Sequence, residues 1–168
     1  MKVDSYRFLP RSFRSFYEGR GPFPGEEETV WAHFEKRLQA SRIALLTSAG
    51  LYVKETQPSF DLERERAQPE WGDPGWRPIP STATAANLGV AHLHINDEDV
   101  LADPGIALPA RLLEQFAADG VIGSAAGSHI SVMGYQERSL EGWRDKTADE
   151  VIAHLRSQGV DGLILAPV

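Results

Sequence analysis

The 168 residues of this chain include no cysteine. This absence excludes disulfide bonds, thiolate metal ligands and a cysteine nucleophile within the chain. The sequence also lacks an apolar run long enough to span a bilayer, and its N-terminal residues contain no uninterrupted apolar segment of the signal-peptide type. We therefore expect a cytoplasmic protein that does not enter a membrane.

Positive charge is scarce, since 17 Lys and Arg residues stand against 24 Asp and Glu residues and the net charge is −7. This balance disfavours binding to nucleic acid or to anionic lipid. Residues 1–25 are the exception, because several arginines alternate there with Tyr and Phe. We interpret them as an arm that packs on its own domain or on a neighbouring subunit, and we expect a homo-oligomer. Residues 26–168 are expected to form a single domain.

The sequence lacks complete motifs for nucleotide binding and for a serine nucleophile. Gly120-x-x-Gly123 and Gly127 are not accompanied by a dinucleotide fingerprint or a phosphate-loop lysine, so no nucleotide cofactor is expected. No serine lies in a glycine-flanked turn between a strand and a helix, which disfavours a serine nucleophile.

Apolar runs typical of strands alternate with segments of helical periodicity. This alternation predicts an α/β fold, a three-layer sandwich with a mostly parallel, flavodoxin-like sheet. A proline-rich stretch without periodicity predicts a long loop at about 55–87. The predicted strands are 42–47, 88–95, one that begins at 120, and 162–166, the last covered on both faces; the predicted helices are 26–40, Pro109 to Gly120, and Thr147 to Gly159, with a Thr147–Glu150 capping box.

The most informative short segment is VAHLHINDED, residues 90–99. On a strand, His92 and His94 would share one face, and His129 would follow a neighbouring loop. Three interpretations stay open: a zinc or iron site formed by His92, His94 and His129, a metal-free group for acid–base chemistry or substrate binding, and a structural role.

Further candidates follow the first strand and lie in the long loop. Ser48 and Gly50 belong to a turn of small residues at the carboxyl end of a strand, where ligands sit in parallel sheets. Arg77, beside a tryptophan, is suited to bind a carboxylate with both arms of its guanidinium. The alternative is an Asp73–Arg77 ion pair that holds the loop.

Several motifs together resemble one family, the selenoprotein B family of glycine, sarcosine and betaine reductases, especially its D-proline reductase-like branch. The resemblance covers roughly residues 22–168 and depends on SRIALLTSAG at 41–50, Gly72-Asp73, Arg77-Pro-Ile-Pro80, His92-x-His94, Asp103, Pro109, GVIG at 120–123 and Met133-Gly-Tyr135.

The resemblance implies a pocket formed by the Thr47–Gly50 turn, Asp73, Arg77, His92, His94, His129 and the segment that contains Tyr135. Reductases of this family cleave a carbon–nitrogen bond of an amino acid with a selenocysteine or cysteine just after the strand that here ends in Ala166-Pro-Val168. This chain contains neither residue, so that covalent step does not carry over to it.

We therefore predict a small-molecule enzyme of the amino-acid reductase type. It would act on an amino-acid-like or carboxylate substrate, with His92, His94 and His129 as catalytic residues or metal ligands. Ser48, Gly50, Asp73, Arg77 and Tyr135 would bind the substrate. The alternatives are a non-catalytic subunit whose thiol- or selenol-bearing partner supplies the redox nucleophile, and an amino-acid-binding module.

Overall fold

The structure is a computed structural model that describes residues 32–68, 71–136 and 140–168. Residues Phe34–Val168 form one compact unit. The predicted arm at 1–25 and the first residues of the predicted helix 26–40 lie outside the described residues. Within the part that is described, no helix is both long enough and apolar enough to cross a membrane.

The main sheet is built around β1 (Arg42–Thr47), whose bounds match the prediction. On one side, β1 pairs in parallel with β5 (Ser124–Ala125) and then with β6 (Ser128–Val132). On the other side it pairs in parallel with β7 (Gly162–Ala166). The antiparallel edge strand β3 (Trp76–Pro80) adds to β6. The sheet is therefore mixed but mostly parallel.

Elements pack on both faces of this sheet. On one face, Ile43 and Leu45 contact an apolar cluster that includes α3 (Ala110–Ala118), α2 (Asp97–Ala102) and a small antiparallel sheet. On the other face, Ala44 and Leu46 belong to a cluster completed by residues of β6 and α4. The small sheet consists of β2 (Leu51–Val53) and β4 (Leu88–Val90), and α4 spans Ala148–Ser157. This arrangement confirms the α/β fold.

The described part of the predicted helix 26–40 is not an α-helix. Residues 32–37 are irregular, and Leu38–Ala40 form a single 3₁₀ turn. The spacing of Phe34 and Leu38 suggested a buried helical face, but these side chains are 47% and 50% exposed. Without burial of the apolar face, periodicity alone does not stabilise a helix.

The predicted loop at 55–87 contains regular structure. Asp61 caps the helix α1 (Leu62–Ala67) by accepting a hydrogen bond from the Arg64 N–H. The strand β3 contains two prolines, and it is tolerated because it lies at the edge of the sheet, where one side of the backbone needs no partner. Trp76 in β3 docks on α4, since its indole N–H donates to Glu150 at 3.0 Å.

The predicted helix from Pro109 to Gly120 is confirmed as α3, and Gly120 follows it with a φ of +71°. The predicted strand 88–95 is shorter, since β4 ends at Val90. Residues Val121–Gly123, assigned to the next strand, are bends that precede β5.

The capping box predicted at Thr147 and Glu150 is wrong. Thr147 has helical dihedrals, because a π-helical turn at Trp143–Thr147 leads directly into α4. The Thr147 hydroxyl donates instead to the carbonyl of Pro74 at 2.6 Å. Gly159, with a φ of +67°, follows the end of this helix as predicted.

The last strand is parallel as predicted, but it is not covered. In β7, Leu163, Ile164 and Leu165 are 36%, 50% and 64% exposed. Among the described residues, β7 pairs with a strand on one side only, the side of β1. This edge of the sheet therefore presents an apolar strand to solvent.

Candidate functional site

His92 and His94 lie in the turn between β4 and α2 and not on a strand. Their ring centroids are 6.0 Å apart, and the rings are nearly perpendicular. The backbone N–H of His94 donates to Nδ1 of His92 at 3.1 Å. The prediction that His92 and His94 share one face of a strand is therefore wrong. The hydrogen bond within the turn brings the two side chains together instead.

The His92 ring carries a buried donor for which the described residues supply no acceptor. Burial lowers the pKa of His92, and the charge of His94 lowers it further, so the neutral ring is favoured. Since Nδ1 accepts a hydrogen bond, the neutral ring has its proton on Nε2. That Nε2 is buried and has no hydrogen-bond partner in the part of the chain that the structure describes. A Cβ at position 134 would lie 2.5 Å from it, so the close approach depends on Gly134.

Glu65 is a member of this site that sequence reasoning missed. Glu65 belongs to α1 and is only 5% exposed, and its Oε2 is buried without a hydrogen-bond partner among residues 32–68, 71–136 and 140–168. Burial raises the pKa of Glu65, and the nearby charge of His94 partly opposes this shift. In the sequence, Glu65 is one of several charged residues in DLERERAQ, and nothing there distinguishes it.

Apolar contacts hold α1 against the histidine turn. Phe60 and Leu62, at the start of α1, pack in one cluster with Ala91 and Met133. Ala91 precedes His92, and Met133 precedes Gly134. This packing holds the start of α1 against the residues that flank His92 and Gly134, and the charge of His94 acts on Glu65.

The turn after β1 lies against the histidine turn. Gly50 has a φ of +64°, and a Cβ there would overlap the carbonyl oxygen of Ala91. The Ser48 hydroxyl accepts a hydrogen bond from the Val168 N–H at 2.9 Å. A Cβ at Gly134 would lie 3.1 Å from the Ser48 carbonyl oxygen. Ser48, Gly50 and the histidine turn thus meet beyond the carboxyl end of β1, as ligand sites do in parallel sheets.

Asp73 and Arg77 have hydrogen bonds that hold the loop. The Arg77 guanidinium donates to three carbonyl oxygens, those of Pro58, Ser59 and Trp76, at 2.9, 3.2 and 2.9 Å. The carboxylate of Asp73 accepts from the N–H groups of Asp61 and Gly75. The carboxylate-binding role of Arg77 stays a prediction, while its contacts in the structure are those of a scaffold residue. Tyr135 is half-buried beside Gly134, and its role in substrate binding also stays a prediction.

His129 lies inside the sheet, away from the histidine turn. It is 0% exposed, and its Nδ1 accepts from the N–H of Leu45 at 3.3 Å. On one side of β1, the backbone hydrogen bonds are interrupted where its pairing changes from β5 to β6. At this interruption the His129 ring accepts the hydrogen bond of the Leu45 N–H in place of a strand carbonyl. Burial lowers the pKa of His129. Its contacts are therefore those of a structural residue.

These positions do not form the predicted metal site. Among residues 32–68, 71–136 and 140–168, no three His, Asp or Glu side chains are arranged to hold a metal ion. His92 and His94 lie together, but His129 contacts the centre of the sheet. The described residues therefore do not fit the zinc or iron ion that one of the three interpretations of the sequence proposed.

The comparison with known proteins gives one informative match. The chain is similar to D-proline reductase subunit gamma of Acetoanaerobium sticklandii. The two are 28% identical over 136 residues, which is 81% of this chain and 52% of that protein. The chain thus spans about half the length of the curated relative that it matches. No family model matches the chain, and no solved structure matches it significantly. The similarity supports a relationship to reductase subunits.

Proposed function

We propose that this chain is a component of a reductase that acts on a small amino-acid-like or carboxylate substrate, with D-proline as the first substrate to test. The observation that carries the proposal is the unpaired Nε2–H of His92 beside Ser48 and Gly134, in a chain similar to a reductase subunit. Buried donors without acceptors are rare in native proteins, and a bound ligand is one way to complete them. His92 and His94 would hold the substrate and transfer protons.

Reductive cleavage needs an electron donor such as a thiol or selenol, and these 168 residues contain neither. We propose that a partner protein supplies that group. The main chain of Val168 is bound to Ser48, so β7 runs to the edge of the histidine site. A partner that docks along β7 would bring its reactive group to that place.

The exposed edge of β7 supports this mode of docking. Its three large apolar side chains, Leu163, Ile164 and Leu165, are exposed in a parallel strand, and such strands are normally covered on both faces. No strand among the described residues pairs with the second edge of β7, and such an edge is a template for a strand from another chain. We propose that the partner adds a strand to β7 and covers these side chains.

Reconstitution tests the proposal. The purified chain is mixed with a separately produced thiol- or selenol-bearing reductase subunit and a dithiol reductant, and loss of D-proline and formation of its ring-opened amino acid are followed by mass spectrometry. We expect turnover only in the mixture. His92→Gln and His94→Gln should each lower the rate roughly 10²-fold.

Leu165→Lys tests the docking surface in the same assay. It should abolish complex formation at protein concentrations where the wild-type chain associates, and it should leave the fold of the isolated chain intact. Ile152→Lys, at a 43% exposed apolar position on α4, is the matched control. Unchanged turnover with Leu165→Lys would refute docking on β7, and full activity of both histidine variants would refute the proposed site.

An amino-acid-binding module without catalysis is the second candidate, and the unpaired buried atoms of Glu65 and His92 favour it too. The reconstitution distinguishes the two, because binding of D-proline without turnover in any mixture would support the module.

A further inference from the structure

A second concave site lies apart from the histidine turn. Residues of β3, β4 and the start of α3 surround a cavity of about 600 Å³. The lining includes none of Ser48, Gly50, His92, His94 and Gly134. Cavities of about 300–1,000 Å³ are typical of small-molecule sites. This cavity is therefore a separate candidate for ligand binding.

The floor of the cavity is apolar and belongs to the core. Ile79 of β3, Leu88 of β4 and Leu108, which lies just before α3, line the cavity and are only 1%, 2% and 6% exposed. All three are members of the apolar cluster that packs on β1. A floor of this kind favours an aliphatic group, because each CH₂ that is buried tightens binding about fourfold.

Part of the wall of the cavity is apolar and exposed to water. Ile106, in the 3₁₀ turn Pro104–Ile106, and Leu112 of α3 both line the cavity and are 60% and 49% exposed. An aliphatic ligand would remove apolar surface of these side chains from water, which is favourable. Floor and wall together therefore fit a chain of methylene groups.

The charge that the cavity offers to a ligand is positive. Arg111 lines the cavity, and its guanidinium makes no ion pair or hydrogen bond within residues 32–68, 71–136 and 140–168. Asp103 lines the cavity too, but its carboxylate accepts a hydrogen bond from the Gly105 N–H at 2.9 Å and caps the 3₁₀ turn. A guanidinium without a partner is complementary to an anion, and its geometry matches the two oxygens of a carboxylate.

We propose that this cavity binds an aliphatic carboxylate, with the chain on Ile79, Leu88 and Leu108 and the carboxylate at Arg111. The site is distinct from the one proposed for the reductase substrate. Leu88 is the first residue of β4, whereas His92 follows the last residue of that strand. Binding is a property of this chain alone and needs no redox group.

Titration calorimetry on the full chain with octanoate, butyrate and 1-octanol tests the two contacts. Octanoate should bind at one site per chain and at least tenfold tighter than butyrate, which has four fewer methylene groups. Arg111→Gln should weaken octanoate about fivefold and leave octanol unchanged, since octanol has no charge. Arg156→Gln, at an exposed position of α4 outside the cavity, is the matched control and should bind octanoate like the wild-type chain.

A pair of neighbouring alanines tests the cavity itself. Ala85 and Ala86 are both exposed, but only Ala85 lines the cavity. Ala85→Phe should block the cavity and abolish binding of octanoate and octanol, while Ala86→Phe should bind both. His92→Gln should bind octanoate like the wild-type chain, because the carboxylate does not occupy the histidine site.

Three results would overturn the inference. The first is that octanoate binds Ala85→Phe or Arg111→Gln as tightly as the wild-type chain. The second is that His92→Gln weakens octanoate as much as Arg111→Gln does, which would place the carboxylate at the histidine site. The third is that the wild-type chain binds neither octanoate nor octanol at millimolar concentration. If the chain then also self-associates, and Ala85→Phe but not Ala86→Phe prevents this, the cavity belongs to an interface with a second copy.

Discussion

Replacing His129 by leucine should change how the stability of the protein depends on pH. His129 is fully buried and accepts a hydrogen bond from the Leu45 N–H through Nδ1, which only an unprotonated nitrogen can do. Burial lowers its pKa in the folded chain below the ordinary value of 6.5. The unfolded chain therefore takes up a proton first as the pH falls. The stability that neutral His129 contributes is fully present above about pH 6.5 and is lost as the pH falls from there towards the folded pKa.

The size of this effect follows from linkage. With an unfolded pKa of about 6.5, protonation of the unfolded state lowers the free energy of unfolding by up to about 1.4 kcal/mol between about pH 8 and about pH 5.5. The leucine variant has no such group at position 129. The difference in stability between the two proteins should therefore shift by up to about 1.4 kcal/mol in favour of the variant over this range. The absolute difference at one pH is less informative, because leucine also removes the unpaired Nε2.

Urea unfolding followed by tryptophan fluorescence at several pH values measures the shift, and equal m-values check that both proteins unfold in the same way. His33→Leu, at an exposed position, controls for the loss of a histidine as such. A stability difference between the wild-type chain and His129→Leu that stays constant from about pH 8 to about pH 5.5 would refute the structural assignment of His129.

Three further predictions concern single side chains. Gly50→Ala should lower the free energy of unfolding in urea by about 2–4 kcal/mol, because φ is +64° and the new Cβ meets a backbone carbonyl. Gly120→Ala, with a similar φ and no atom within 4 Å of the new Cβ, should lower it by about 1–2 kcal/mol. Equal losses of stability would contradict the close approach at Gly50. Arg77→Lys should cost about 1–2 kcal/mol, since lysine cannot reach the same three carbonyls, and a wild-type thermal midpoint would contradict the scaffold role. Glu65→Gln should raise the thermal midpoint at about pH 8 but not at about pH 4. Burial raises the pKa of Glu65 in the folded chain, so ionisation of this carboxyl lowers the stability as the pH rises above about 4.5. The same change of the thermal midpoint at both pH values would contradict burial of a charge.

The sequence predicted well those elements whose local signals agree with their tertiary surroundings. The apolar run of β1 and the proline and glycine that bound α3 gave correct elements, because burial supports what the local pattern favours. Where burial is absent, the same reasoning failed. Phe34 and Leu38 have helical spacing, but about half of each side chain stays exposed. The strand β3 forms from a proline-rich segment because a sheet edge is available.

The candidate site shows the same limit. The sequence predicted that His92 and His94 lie together and that the turn ending at Gly50 is close to a functional pocket, and the structure places the two histidines and this turn side by side. It could not predict that His129 fills an interruption in a sheet, since spacing along the chain contains no information on where a ladder breaks. Glu65 was missed because one glutamate in a charged helix resembles the others until packing buries it.

The contrast between His129 and Glu65 gives a physical criterion for assigning buried polar residues in this chain. His129 completes the hydrogen bonding of a strand, so its presence is explained by the fold. The Glu65 carboxyl has an unpaired buried oxygen, and its ionisation is opposed by burial, so the folded state would be more stable with a neutral residue there. Glu65 therefore weakens the fold where His129 completes a strand, so the fold alone does not explain the presence of Glu65.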